Sequence, residues 1–219
     1  MPRAVLLDLY DTVVDSDWYV WRDLLAGHVG LDPRVLGRAF TETRPDRSVG
    51  TYADEEADVI AVLTAAGLEH DPAHVKELVE IEREFMAQGV RLFDDALPVV
   101  RELRARGVKV ALVSNCSHNT RPTVAQLGLH DEFDAVLLSV DLRARKPHPE
   151  IYVAALDAVG VEAADAVFVD DQTEYCDGAR ALGIDTRLIL RRDAHPTEGH
   201  APTTNGHTVI RDLTALLDD

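Results

Sequence analysis

What most constrains this chain is an alternation of helical and strand patterns that begins at Asp95 and holds almost to its end. Helical periodicity runs from Asp95 to Arg106, Gly107 stops it, and an apolar run of strand length covers residues 108–113. The pattern repeats, with helices expected over residues 119–127, 149–159 and around 178–182, and strands over 135–140, 166–169 and 186–190. Strands separated by whole helices cannot pair as hairpins, so they must lie parallel, with helices on both faces of one sheet. Residues 208–217 read as an edge strand and a terminal helix. Near the other end, Ala4-Val5-Leu6-Leu7 is one more buried-strand pattern, and Asp8 follows it directly. Ligands of open parallel sheets sit beyond the carboxyl ends of the strands, which is where this puts a carboxylate.

Residues 16–90 interrupt the alternation and carry no strand pattern. Asp15-Ser16-Asp17 offers N-caps for a helix through Trp18, Tyr19, Trp21, Leu24 and Leu25, with Gly30 as its end. Asp32-Pro33 supplies a cap and a first helical residue for a second helix through Val35, Leu36 and Phe40, and loop signals follow over residues 44–50. Two longer helices are expected over residues 53–66 and 72–88. The segment is therefore a four-helix insert. Trp18, Tyr19 and Trp21 read as its packing residues; the alternative is that one of them, with Arg22, Arg44 or Arg47, faces a substrate.

Three further polar clusters follow apolar runs: Ser114-Asn115, Lys146-Pro147 and Asp170-Asp171. In order and separation they resemble, together with Asp8-Leu9-Tyr10-Asp11-Thr12, the four motifs of the haloacid dehalogenase superfamily of hydrolases. Lys146-Pro147-His148-Pro149-Glu150-Ile151-Tyr152 is similar to the usual surroundings of that family's third motif, and the resemblance runs from residue 4 to about residue 190. It implies an α/β fold, a doubly wound parallel-sheet (Rossmann-like) core over residues 1–14 and 91–219, with an inserted α-helical cap domain over residues 15–90.

The same resemblance assigns roles. Asp8 would be the nucleophile, forming an aspartyl phosphate, with Thr12 and the amides after Asp8 orienting its loop. Ser114, with Asn115 beside it, would meet the transferring phosphoryl, and Lys146 would neutralise charge among Asp8, the phosphate and the acids. Replacing Lys146 is expected to lower turnover without unfolding the protein. Two carboxylates about 4 Å apart repel by roughly 4 kcal/mol at an effective dielectric near 20, so Asp8 beside Asp170 and Asp171 calls for a cation. Mg²⁺ suits oxygen ligands, and Asp8, the Tyr10 carbonyl and Asp171 would hold it, with Asp170 close by or acting through water.

Two departures matter. The family's general acid/base position is Tyr10 here, and an outer acid or amide four residues after Asp171 is Tyr175. A phenol can donate a proton to a leaving oxygen but is no general base at neutral pH, and Asp11 is the obvious substitute. The haloacid dehalogenases proper carry Asp-x-Tyr and need no metal, but have Ser and Asn where this chain has Asp170 and Asp171. Three readings follow: a Mg²⁺-dependent hydrolase of a small phosphorylated metabolite, a metal-independent 2-haloacid dehalogenase, or a catalytically weak ligand-binding member.

Composition narrows the partners. A formal charge of -17 argues against nucleic acid or anionic membranes, which need a basic surface. No apolar run reaches the ~18–20 residues of a membrane span, and two cysteines make no disulfide framework, so a cytoplasmic protein is expected, with monomer or homodimer left open. Cys116 and Cys176 read as small packing residues beside the second and fourth motifs. The irregular spacing of His195, His200 and His207 reads as a solvated surface rather than a metal site.

Overall fold

The computed structural model describes residues 1–191 and 203–218. In chain order the elements are β1 (Ala4–Leu7), β2 (Val14–Asp15), α1 (Trp18–Val29), α2 (Pro33–Arg47), α3 (Glu55–Ala65), α4 (Pro72–Gly89) and β3 (Arg91–Leu92). There follow α5 (Ala96–Ala105), β4 (Lys109–Ser114), α6 (Thr120–Gln126), α7 (Leu129–Glu132), β5 (Ala135–Leu138), α8 (Ser139–Leu142) and α9 (Pro149–Val159). The last are β6 (Ala166–Asp170), α10 (Thr173–Ala181), β7 (Asp185–Ile189) and β8 (Thr208–Ile210).

Six strands form one parallel sheet in the order β5-β4-β1-β6-β7-β8. β1 is central, and every one of its side chains is fully buried because helices cover both faces. The strand period of two sorts residues between those faces: Val5, Leu7, Val110, Leu112, Val167 and Val169 enter one apolar cluster, while Ala4, Leu6, Ala111, Val113 and Phe168 enter the other. Chain order moves outward from β1 through β4 to β5, then crosses back to β6, so the switch in direction falls at β1. That is the crevice position for a ligand in such sheets. The α/β reading of the sequence is borne out.

Helices α1–α4 hold a separate apolar cluster, including Trp21, Leu36, Phe40, Leu63 and Leu78. Asp17 and Asp32 cap the first two as the sequence offers, Asp54 and Asp71 cap the other two, and each accepts a backbone N–H of the following turn. The two strands leading in and out of this body, β2 and β3, pair antiparallel, a ribbon that two-residue segments do not announce in sequence.

Local expectations fail in four places. α2 continues past Pro45 to Arg47, because the Arg47 guanidinium reaches back to the Phe40 carbonyl (3.0 Å) and Thr43 Oγ1 (3.0 Å), tying its last turn to the buried face. β5 stops at Leu138, since the Ser139 hydroxyl turns to the Cys116 backbone, accepting from its N–H at 2.9 Å. α10 starts at Thr173 rather than near Gly178, because the Gln172 N–H donates to Asp170 Oδ1 (2.8 Å) and makes the turn that launches it. His207 is buried, its ring held between Thr186 Oγ1 and Asp177 Oδ1, not solvated; His195 and His200 lie outside the described residues.

Candidate active site

Three adjacent strands end on polar residues: β1 runs into Asp8, β4 ends at Ser114 and β6 at Asp170. The sheet thus brings together what the sequence separates by more than a hundred residues. Lys146, in the turn before α9, completes the group from below. It is fully buried, and its Nζ donates to Asp8 Oδ1 (2.5 Å), Asp170 Oδ2 (2.6 Å) and the Val113 carbonyl (3.1 Å). Asn115 holds that turn by a pair of hydrogen bonds to the Lys146 backbone, Nδ2 donating to its carbonyl (2.9 Å) and Oδ1 accepting from its N–H (2.8 Å). Asn115 therefore positions Lys146, a role its place in the sequence does not reveal.

Burial alone would strip the proton from Lys146, but the charges of Asp170 and Asp8 outweigh it and hold the ammonium well protonated. Its aliphatic and aromatic surroundings include the Tyr175 ring, 5.1 Å from Nζ to centroid, and the Phe168 ring at 5.5 Å. Tyr175 thus faces the ammonium from the position four residues after Asp171, where the sequence resemblance leads one to expect an acid or amide. Burial, reinforced by the Asp8 charge and opposed by Lys146, pushes the Asp170 carboxyl up to about 7. Asp171 is raised well above the ordinary carboxylate range, first by burial and then by Asp170, Asp8 and Asp11.

Oxygens of Asp8, Asp170 and Asp171 all lie within 4.8 Å of one another. Fully ionised, three carboxylates against one ammonium leave a local charge of 1 − 3 = −2. A compact, all-oxygen set with excess negative charge fits a hard divalent cation. Two buried hydroxyls, Thr12 Oγ1 and Ser114 Oγ, have no hydrogen-bond partner among the described residues. Leaving such groups unpaired costs about 1–3 kcal/mol each, so the site has donors to spare for an anionic oxygen.

Above the acids lies a cavity of about 340 Å³. Asp8, Asp11 and Asp171 form its polar end, while Tyr10, Trp18, Trp21, Phe40, Phe85 and Met86 give it apolar walls. Both tryptophans and both Arg44 and Arg47 line it; Arg22 does not, being paired with Asp23 and set over the Tyr19 ring. Tyr10 shares a hydrogen bond with Thr120 Oγ1 (2.8 Å), and burial holds its phenol above the ordinary range, so it keeps its proton. Asp11 adopts a φ of 57°, a left-handed conformation that Asp tolerates better than most residues.

Sequence reasoning missed two supports of this site. Arg191, just past β7, donates to the Thr12 carbonyl (2.6 and 3.2 Å), bonds both Asp95 oxygens at 2.8 Å and stacks on Phe93, pinning the loop after Asp8 from outside. Nothing local signals it. The second is a set of buried acids on the helical body, Asp58 and Glu82, which occupy the apolar stripes of α3 and α4 alongside Val62 and alongside Val75, Leu78 and Val79. A charge in an apolar stripe is a legible signal, and it was there to be read.

Glu82 is pushed up to about 7, first by burial and then by the Glu55 and Asp58 charges, against Arg47 and Asn119. Between about pH 4.5 and 7 the folded chain then holds a proton that the unfolded chain has lost, so rising pH costs stability across that window and no further above it. Glu82→Gln, which keeps the acceptor for Asn119, is expected to exceed the parent by about 1–3 kcal/mol at pH 8 and to match it near pH 4.5. Urea unfolding at both pH values checks this; equal differences at the two would count against a protonated Glu82.

A family model for haloacid dehalogenase-like hydrolases matches residues 2–183. The chain belongs to the haloacid dehalogenase-like hydrolases. Among curated members of this family, it is 35% identical to phosphatase MT3486 of Mycobacterium tuberculosis over 64% of this chain, a match spanning 59% of that relative and so less than two thirds of its length. It is 30% identical to a phosphoglycolate phosphatase of Yersinia pestis, covering 83% of this chain and 78% of the relative. It is also 27% identical to (S)-2-haloacid dehalogenase 4A of Burkholderia cepacia, over 98% and 94% of the two chains. The fold matches the L-2-haloacid dehalogenase of Xanthobacter autotrophicus with a TM-score of 0.70 at 22% identity, covering 99% of this chain and 97% of the other. Phosphatases and dehalogenases thus both stand among its relatives. Among the described residues no helix is long and apolar enough to cross a membrane.

Proposed function

We propose that this haloacid dehalogenase-like hydrolase is a Mg²⁺-dependent phosphatase of a small phosphorylated metabolite. One observation carries the reading: oxygens of Asp8, Asp170 and Asp171 cluster within 4.8 Å, with Lys146 gripping two of the three side chains. A 2-haloacid is itself a carboxylate, and these acids would repel it unless a cation covered them, which metal-independent dehalogenation does not supply. Residues 15–90 act as a cap over a core of residues 1–14 and 91–219, enclosing a small-molecule substrate, with no nucleic-acid or membrane partner, in a cytoplasmic monomer or homodimer.

In this reading Asp8, Asp171 and the Tyr10 carbonyl hold the cation, with Asp170 beside it, and the bound Mg²⁺ supplies charge neutralisation for the phosphoryl group. The Asp8 carboxylate attacks phosphorus, the bond to the leaving oxygen breaks, and water then hydrolyses the aspartyl phosphate. Lys146 and the Ser114 hydroxyl stabilise the phosphoryl oxygens; Thr12 orients the loop. Asp11, which lines the cavity, is the acid available to the leaving oxygen, and Tyr10 can donate but not accept. Substrates with good leaving groups, such as acyl phosphates, need that help least.

A second reading, dehalogenation at carbon, is favoured by Tyr10 and the apolar walls of the cavity, because a departing halide needs no proton. Phosphate release from a metabolite panel and halide release from 2-chloropropionate, each with Mg²⁺ or EDTA, separate the two. Phosphate release abolished by EDTA is expected; phosphate release indifferent to EDTA, or halide release alone, would sink the proposal. Mg²⁺ should also raise the melting temperature more near pH 8 than near pH 5, since Asp170 holds a proton below about 7.

A further inference from the structure

Directly after Ser114-Asn115-Cys116, the chain presents three consecutive polar side chains to the helical body, and each meets a different helix. Arg47 on α2 donates to Ser117 Oγ at 3.5 Å. Asp58 on α3 uses one oxygen for both the His118 ring Nδ1 (2.8 Å) and the His118 backbone N–H (3.3 Å). Glu82 on α4 accepts from Asn119 Nδ2 at 3.0 Å. Asp58, Glu82 and His118 are all under a tenth exposed. At the same seam Gly50, with φ of 63°, lies so close to α8 that a Cβ would come within 2.6 Å of the Val140 carbonyl oxygen.

The apolar clusters described above resist parting because water must then cover them, and Met86 of α4 packs against the core's own cluster. The polar part of the seam is built differently. Its charged groups are dehydrated when the two bodies meet, and the compensation is incomplete: two carboxylates face one guanidinium, and Asp58 Oδ1 finds no partner among the described residues. Hydration offered on parting offsets part of the bonds lost, so the contact holds only while these few bonds are intact. Arg47, Glu82, Ser117 and Asn119 also line the cavity over Asp8, so whatever fills that cavity touches the seam.

We propose that residues 117–119 are a latch through which the helical body closes over Asp8, with Arg47, Asp58 and Glu82 as its three catches. These are positioning residues: they act through the loop that carries Ser114 and Asn115. The inference rests on the reading of residues 15–90 as a cap, and its test does not depend on the substrate. Breaking the bonds should open the two bodies, whereas removing charge while keeping each acceptor should hold them shut.

Spin labels at Glu56→Cys on α3 and Val153→Cys on α9, both exposed, report the separation in the full chain, since Cys116 and Cys176 are buried. A narrow distance distribution is expected for the labelled parent and for Asp58→Asn with Glu82→Gln. His118→Ala with Asn119→Ala should broaden it toward longer distances. Should that pair not fold, Asn119→Asp, which sets a carboxylate against Glu82, is read in the same way. A parent-like distribution in the loop variant overturns the latch. With p-nitrophenyl phosphate and Mg²⁺, the opened variant should show KM raised about tenfold and kcat changed less, while the charge-neutral pair keeps KM at or below the parent value. Silence toward that substrate in every variant would tell against the phosphatase reading and leave the distance result to decide the latch.

Discussion

Asp8→Asn removes turnover by about 10⁴-fold or more, the largest effect expected of any single substitution here. The change is nearly isosteric, and Asp8 sits at the end of a fully buried central strand, so the fold is retained and the loss is chemical. An amide oxygen cannot form the aspartyl phosphate, and it is a poorer partner both for a divalent cation and for the ammonium 2.5 Å away. Both enzyme readings share this nucleophile, so the variant is read with each assay: phosphate release under single-turnover conditions with Mg²⁺, and halide release without it. The circular dichroism spectrum should be unchanged. Residual activity above about a hundredth of the parent in the assay the parent answers to would mean that another group attacks, and Asp11, in the same cavity, would be the next to replace.

The parallel sheet was legible because strand and helix periods differ and each apolar run ends abruptly on a polar residue. Asp8, Ser114 and Asp170 share the carboxyl end of the sheet for that reason, and the motif order placed Lys146 with them. What escaped was everything decided by contact across the fold. Asn115 looks like a partner for substrate, yet both ends of its amide are engaged by the Lys146 backbone. Pro45 looks like a helix stop, but Arg47 two residues later anchors the turn that contains it. Arg191 has no local signature at all, because its partners, Thr12 and Asp95, lie 179 and 96 residues away. Asp58 and Glu82 occupy an intermediate place: their position in apolar stripes could be seen, but not the residues 60 and 37 positions further on that receive them.

Lys146→Met illustrates how burial alters an expectation formed from sequence alone. Seen only as one charge before Pro147, the lysine should be dispensable to folding, with turnover alone suffering. Its side chain is instead fully enclosed and bridges two buried carboxylates, so a neutral residue of similar length leaves both without their cation. Breaking a buried ion pair from one side costs about 3–5 kcal/mol, and that loss of stability is expected near pH 8 in EDTA. Acid should relieve it. Asp170 already titrates at about 7 with the lysine present, and a raised folded-state pKa means the penalty grows as pH rises and fades as the carboxyl takes up its proton. The deficit in urea unfolding should therefore be smaller near pH 5 than near pH 8, and Mg²⁺ at the higher pH should restore part of it by standing in for the ammonium. A deficit below about 1 kcal/mol, or one equal at both pH values, would mean that the acids do not depend on Lys146 for their charge balance. Stability and turnover then separate the two jobs of one side chain: Mg²⁺ can return the first, but no added cation can return an ammonium fixed beside the attacking oxygen.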